Sequence, residues 1–330
     1  MKPAQGEPKA SATGARCPSP HRAPSPYLIT GPALISFSGG RTSAFMLRQI
    51  LDAHGGTLPD DVVVAFANTG KEREETLRFV HECGVRWGVH VHWVEWRDDE
   101  AGYANVGFNS AARSGEPFAA LIAKRGFVPN SVSRFCSVTL KVRAMRNWVR
   151  GERGWKHWVN VIGLRHDEGH RVMKALARND TNKEPFKAAM PMAAARHTER
   201  DVLAFWKEQP FDLGLKSYEG NCDLCFLKRR GKLLQLIRDN PGMEDWWIGQ
   251  EAGVTRARTK AAGEFREGDP FALIARDARS QSLLRFDEID DGPAEDCTAE
   301  VCEGDNDPIA RRVLQREFER TFDAVMGSAA

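Results

Sequence analysis

The stretch from Ala33 to Ala53 constrains this chain more than any other. An apolar run, Ala33-Leu-Ile-Ser-Phe-Ser, ends at Gly39-Gly40, and apolar residues then recur at helical spacing through Phe45, Met46, Leu47, Ile50 and Leu51. A short apolar run that feeds a glycine turn and then a helix is the opening of a crossover unit. The pattern repeats. Val62 to Phe66 is a second buried-strand run ending at Asn68-Thr69-Gly70, and a helical stretch with Thr76, Leu77, Phe79 and Val80 follows. Val89 to Trp96 and Trp158 to Leu164 read as third and fourth strands. Strands alternating with helices predict an α/β fold, a parallel sheet flanked by helices, whose ligands bind beyond the carboxyl ends of the strands.

The rest of the chain divides around that core. Residues 1–28 read as a disordered tail, rich in proline and basic residues, with Glu7 as the one acid before Ser25. Residues 29–215 hold the strand–helix alternation, and residues 216–330 form a helical C-terminal region. Within the first unit, residues 97–135 are polar and glycine-containing, with a helical piece around Phe118–Ala123. Thr198, with Asp201 three residues on, marks a helix start. In the C-terminal region a helix is expected from Asp223 to Ile237, and another from Ile309 to Val325, after an acidic stretch over 286–307.

Composition narrows the function classes. Lys+Arg number 47 and Asp+Glu 45, a net charge of +2, which argues against a chain-wide electrostatic nucleic-acid binder and leaves room for a local basic patch. Seven cysteines, an odd number scattered over 330 residues, do not make a secreted disulfide framework. No apolar run reaches the ~18 residues of a membrane helix. A cytoplasmic protein with no membrane partner is expected.

Ser38-Gly39-Gly40-Arg41-Thr42-Ser43 is the strongest candidate site. Its glycines let backbone approach an anion, the following helix directs free N–H groups at it, and Ser38, Ser43 and Arg41 add hydroxyls and a charge. Cys222 and Cys225 form a C-x-x-C pair, a spacing at which both sulfurs reach one metal or cluster. Cys136 is the natural third thiol. A [4Fe–4S] cluster, a structural Zn²⁺ and an inert thiol set all stay open on spacing alone. Cys83 falls on a helix face with Phe79 and Val80 and reads as a core thiol; Cys297 and Cys302 lie among acids, which dull a thiol, and Cys17 is in the tail.

The loop resembles the PP-loop of the adenine-nucleotide hydrolase-like superfamily, and five further segments in order narrow the likeness. Asn68-Thr69-Gly70 with Glu75-Thr76 resembles a "(D/N)TG…ET" segment. Arg134-Phe135-Cys136 with Leu140-Lys141-Val142-Arg143 resembles "R-x-C…LK-x-R". Gly163-Leu164-Arg165 with Glu168 and Arg171 resembles "G(I/L)R…E..R". Pro191-Met192 with Thr198 to Val202 resembles "PL…T..DV", and Asn221-Cys222-x-x-Cys225 resembles "GC..C". Together, over residues 33–228, they resemble the phosphoadenosine-phosphosulfate (PAPS) reductase family.

The resemblance implies a Rossmann-like PP-loop fold and sulfur chemistry on an adenine nucleotide (PAPS, its non-phosphorylated relative APS, or ATP with Mg²⁺). It implies a nucleotide site from Ser38, Gly39, Gly40, Arg41, Thr42, Ser43, Asn68, Thr69, Gly70, Lys141, Arg143, Gly163, Arg165 and Arg171. His166 and Glu168 are the acid–base candidates, and Cys136, Cys222 and Cys225 the ligands of a three-cysteine [4Fe–4S] cluster, with zinc as the alternative. Sulfonucleotide reduction with a thiol or other electron donor is the first reading. ATP-dependent sulfur transfer to a small molecule or nucleic acid is the second, and a zinc-stapled nucleotide-binding protein without catalysis the third. Two departures bear on the choice: Thr42 stands where many PP-loop pyrophosphatases carry an acid, and the "ECG-x-H" ending of the thioredoxin-linked reductases is absent.

Overall fold

In the computed structural model the described residues are 24–216, 218–254, 263–280 and 308–327. Of the tail expected over 1–28, residues 1–23 lie outside them, as do the acidic stretch, Cys17, Cys297 and Cys302; Tyr27 instead packs into the core, with its hydroxyl 2.6 Å from His197 Nδ1. The fold is α/β and Rossmann-like. Six strands, β1 (Ala33–Ser36), β2 (Val62–Asn68), β3 (Val91–Glu95), β4 (Ala104–Val106), β5 (Trp158–Val161) and β6 (Phe186–Ala189), form one sheet in the order β4-β3-β2-β1-β5-β6. All neighbours are parallel except β3 and β4. β2 is buried along its whole length, as a strand covered on both faces requires.

Alternation assigns the two faces. Ile35, Val64 and Phe66 pack with Phe45, Leu47, Phe79 and Trp206 from helices α1 (Arg41–Ala53), α2 (Glu74–Trp87) and a later helix over Glu199–Lys207. Leu34, Val63, Ala65 and Ala67 face the other way. There they meet α3 (Glu116–Arg125) and α4 (Ala144–Arg153), and the same core takes in Leu224, Trp247, Phe265 and Phe271 of the C-terminal region. A third cluster joins Ile162 and Leu164 to α5 (Gly169–Thr181) and to Phe318 and Phe322 of the last helix. The remaining α-helices among the described residues are α6 (Pro191–Ala194), α7 (Glu199–Lys207), α8 (Arg230–Asp239), α9 (Asp245–Gly253), α10 (Phe271–Ser280) and α11 (Pro308–Gly327).

Several expectations need correction. The stretch 97–135 is less irregular than its polarity suggests, because β4 adds an antiparallel edge there and α3 runs beyond the expected piece. The helix expected from Asp223 starts at Arg230. Asp223 accepts the Leu224 N–H and pairs with Lys71, which holds 223–229 in turns. The expected start at Thr198 is present as a reciprocal cap with Asp201. No described helix is long and apolar enough to cross a membrane.

Candidate functional site

The glycine loop leaves β1 and enters α1 beyond the carboxyl ends of the strands. Gly39 has φ +81°, and a Cβ there would lie 2.7 Å from Thr76 Cγ2, so both backbone conformation and space demand glycine. No side chain caps α1, and its first turn holds no acid. Its N–H groups and positive dipole end are therefore not neutralised by the chain's own carboxylates. Ser38 donates its hydroxyl to Ser43 Oγ at 2.9 Å, and Ser43 donates to the Gly40 carbonyl at 3.0 Å. Arg41 turns away from the loop: its Nε donates to Asp212 Oδ1 at 2.7 Å and its Nη2 to the Leu215 carbonyl at 3.2 Å. Trp206 of α7 donates to the Arg41 carbonyl at 2.9 Å, which fixes the loop from outside.

The cation beside the loop is Arg165. Gly163 permits this, since a Cβ there would sit 3.2 Å from Ser43 Cα. Arg165 is buried; its Nη1 donates to Thr42 Oγ1 at 3.4 Å and its Nε to Asp167 Oδ1 at 2.9 Å. Glu168 accepts the Arg165 N–H at 3.0 Å and pairs with Arg171, and those two guanidinium groups hold its carboxyl below the usual range despite burial. His166 packs its ring between Phe318 and Phe322, at centroid distances of 5.2 and 4.9 Å. Glu168 thus contacts Arg165 and Arg171, while His166 contacts α11 and donates its backbone N–H to the His197 carbonyl at 2.8 Å.

The Asn68 and Thr69 side chains are engaged by residues around the turn. Asn68 donates to Glu95 Oε1 at 2.6 Å and to the Ala112 carbonyl at 2.8 Å. Thr69 donates its N–H and hydroxyl to Glu72, at 2.8 and 2.9 Å to Oε2. Gly70, at φ +80°, closes against Pro117 and Gly115. Glu72 is the residue that motif comparison passed over: Glu75 pairs with Arg73, whereas buried Glu72 faces Lys141 Nζ at 3.6 Å. The signal for it was the Thr69-x-x-Glu72 spacing of a capping-box pair.

The three expected thiols come from two distant segments. Cys136 opens a π-helical turn, Cys136–Arg143, in which the Ala144 N–H reaches back five residues to the Thr139 carbonyl. In an α-helix residues five apart stand roughly 140° around the axis from one another. The wider turn instead brings Lys141 within electrostatic reach of Cys136. Cys222 and Cys225 are placed by a short antiparallel pairing with the segment after β2. Cys222 bridges Glu72, the Arg73 N–H donates to the Asn221 carbonyl at 2.8 Å, and the Asp223 N–H to the Lys71 carbonyl at 3.0 Å. A buried Lys71–Asp223 ion pair at 2.6 Å locks that pairing. Asn221 Nδ2 donates to the Ser38 carbonyl at 3.0 Å and ties the cysteine segment to the glycine loop. Lys71, Asn221 and Asp223 are further contributors that the sequence reading left out.

Burial pushes the Cys136 thiol up to about 12, with the Cys225 thiol adding to the rise and Lys141 opposing it. Burial also raises Cys222, opposed by Lys141 and Lys228. Cys83 is a fully buried core thiol, as expected. Among the described residues no three His, Cys, Asp or Glu side chains converge as a single metal ion requires. Tetrahedral zinc needs every sulfur about 2.3 Å from one point. A four-iron cluster takes thiolates at separate corners and does not need them to meet at one point, so three cysteine thiols are a donor set of the kind such a cluster uses. Arg143 is exposed, while Lys141 lines a cavity between the sheet and α4 that reaches Ser38.

No family model matches the chain. It is 29% identical, over 220 residues, to an uncharacterised nin region protein of Escherichia phage lambda, covering 64% of this chain and 71% of that one. Over 226 residues it is 24% identical to an uncharacterised protein of Methanocaldococcus jannaschii, which covers 66% of this chain and 41%, less than half, of the archaeal protein. A solved structure, the U34-tRNA thiolase NcsA from Methanococcus maripaludis with its [4Fe–4S] cluster, aligns over 82% of this chain and 80% of its own at 15% identity and a TM-score of 0.33.

Proposed function

We propose that residues 29–215 bind an adenine nucleotide by its phosphates at Ser38–Ser43, and that the chain uses it to transfer sulfur to an acceptor. Cys136, Cys222 and Cys225 would hold a [4Fe–4S] cluster, with residues 216–330 supplying two of the three thiols. The observation that carries this reading is the Asn221–Ser38 hydrogen bond, which joins a phosphate-type loop to the segment that carries Cys222 and Cys225. When bound, a cluster with three protein thiols supplies an iron open to sulfide. The uncapped start of α1 and Arg165 supply positive potential for the phosphates. Lys141 and Lys228 offset the charge of deprotonated thiols at Cys136 and Cys222. The four described cysteines form no disulfide, which fits a reducing compartment such as the cytoplasm.

Sulfonucleotide reduction is the second reading, and one observation favours it. Arg165 faces Thr42, so a cation stands where a magnesium-binding acid would be expected for ATP. Against it, the one described cysteine outside the triad is the buried Cys83, which offers no nucleophile at the loop.

The test is anaerobic purification followed by iron, sulfide and zinc analysis of the wild type and Cys136→Ala. Pyrophosphate release from ATP and sulfite release from PAPS are then measured on the same preparations. Iron and sulfide lost in the variant, with acceptor-dependent pyrophosphate release, support sulfur transfer. Sulfite release would establish reduction instead, and zinc without iron would remove the cluster from both readings.

A further inference from the structure

The surface of α4 indicates the chemistry of the acceptor; this step rests on the sulfur-transfer reading above. Arg143, Arg146, Arg150 and Arg153 follow one another at intervals of three, four and three. At ~100° per residue they fall within about 80° of one another, in a row about 15 Å long. Arg143, Arg150 and Arg153 are exposed. Arg143 and Arg150 make no ion pair or hydrogen bond among the described residues, whereas Arg153 donates to the Asp60 carbonyl at 2.8 Å and Arg146 to Glu184 at 3.2 Å. The one acid of α4, Glu152, is turned to the opposite side, where it accepts from Tyr103 and Asn105. In a chain of net charge +2 this is a concentrated local excess.

A second observation lies beneath the row. Arg146 and Trp158 both line the cavity that extends to Ser38. Arg146 Nε and Trp158 Nε1 are buried without a hydrogen-bond partner, and Trp158 is 5% exposed. Buried donors are rarely left unpaired. Base edges carry carbonyl and ring-nitrogen acceptors that would satisfy them. The row begins at the π turn that carries Cys136 and Lys141, and Arg146 belongs to both the row and the cavity lining, so a strand held on the row runs beside the cavity.

We propose that α4 binds the phosphate backbone of an RNA acceptor and that an unpaired base of that RNA enters the cavity beneath it. The recessed donors require a base outside a stack, and unpaired loops are where RNA offers one.

The probe is a fluorescein-labelled RNA hairpin with an unpaired loop, titrated by anisotropy into the full chain without ATP across a salt series. Fully paired RNA and a DNA hairpin of the same sequence serve as comparisons. The hairpin should bind more tightly than both. Arg143→Gln/Arg150→Gln should lower the slope of log affinity against log salt by about 1.4, two contacts at ~0.7 each. Trp158→Phe should erase the preference for the looped RNA while leaving the slope intact. An unchanged slope in the arginine variant overturns the backbone assignment. Equal binding of the DNA hairpin overturns RNA as the partner, and an unchanged loop preference in Trp158→Phe overturns the base site. Iron measured on the same samples separates these failures from a failure of the sulfur-transfer reading, since binding here needs neither cluster nor turnover.

Discussion

Lys71→Met should destabilise the protein mainly by stranding a charge. Lys71 Nζ lies 2.6 Å from Asp223 Oδ2, and the two side chains are 9% and 12% exposed. Removing one partner of a buried pair costs about 3–5 kcal/mol, because the other charge stays desolvated. Asp223 keeps two donors, Trp247 Nε1 at 3.1 Å and the Leu224 N–H at 2.6 Å, which places the loss at the low end, about 3 kcal/mol. Asp223→Asn strands the lysine instead, at a cost softened by the Trp246 ring 4.8 Å from Nζ. The double variant Lys71→Met/Asp223→Asn removes both charges and preserves an acceptor for Trp247. It should recover about 2–3 kcal/mol relative to the sum of the single variants. Urea unfolding followed by tryptophan fluorescence measures all four proteins, and Trp246 and Trp247 report on the pair directly. Single losses that add to within about 0.5 kcal/mol would refute the reasoning, since groups without shared partners behave that way.

Gly39→Ala meets both a left-handed φ and a 2.7 Å approach to Thr76, so it should cost about 2–4 kcal/mol and weaken nucleotide binding. Gly55→Ala, at φ +68° with nothing within 4 Å, should cost only about 1–2 kcal/mol; thermal scans compare the two. Burial, with help from His90 and Arg153, pushes His92 down to about 4. The unfolded chain therefore takes up a proton below its ordinary 6.5 that the native state refuses, and stability should fall as pH drops from about 6.5 to 4. His92→Phe should flatten that limb of a urea-midpoint profile. Phe318 is fully buried in the third cluster and packs over Gly169, so Phe318→Ala should cost about 3–5 kcal/mol and expose α11 to limited proteolysis.

The sheet was legible where burial is complete on both faces. β1 and β2 are apolar up to their last residues, Ser36 and Asn68, and α7 announces itself by Thr198 and Asp201. β4 and β6 were not legible, because Ala104–Val106 and Phe186–Ala189 are short, half-exposed edge strands without an apolar run. The π turn has no α-periodic signature, since its register exists only through the five-residue reach of Ala144. The glycine loop and the C-x-x-C could be found as local patterns. The pairing that joins them could not, because Lys71–Arg73 and Asn221–Asp223 are separated by some 150 residues and meet through backbone bonds that any side chains could make.

That pairing implies that the two halves of the site respond to each other. Asn221 spans them with one hydrogen bond to the Ser38 carbonyl, in the strand-to-helix turn where phosphates would seat. A net contribution of about 1 kcal/mol for such a bond corresponds to roughly a fivefold coupling. Iron loading should therefore tighten nucleotide binding about fivefold, and nucleotide should tighten iron retention by the same factor, since linkage between equilibria is reciprocal. Asn221→Ala removes the connection without touching a thiol or a loop amide. Each ligand should still bind the variant, while the ratio of nucleotide Kd between apo and loaded protein falls to one. Calorimetric titration of both forms, wild type and variant, measures that ratio. A ratio unchanged by the substitution would mean that communication runs through the Lys71–Asp223 lock, which holds the same ribbon from its other end.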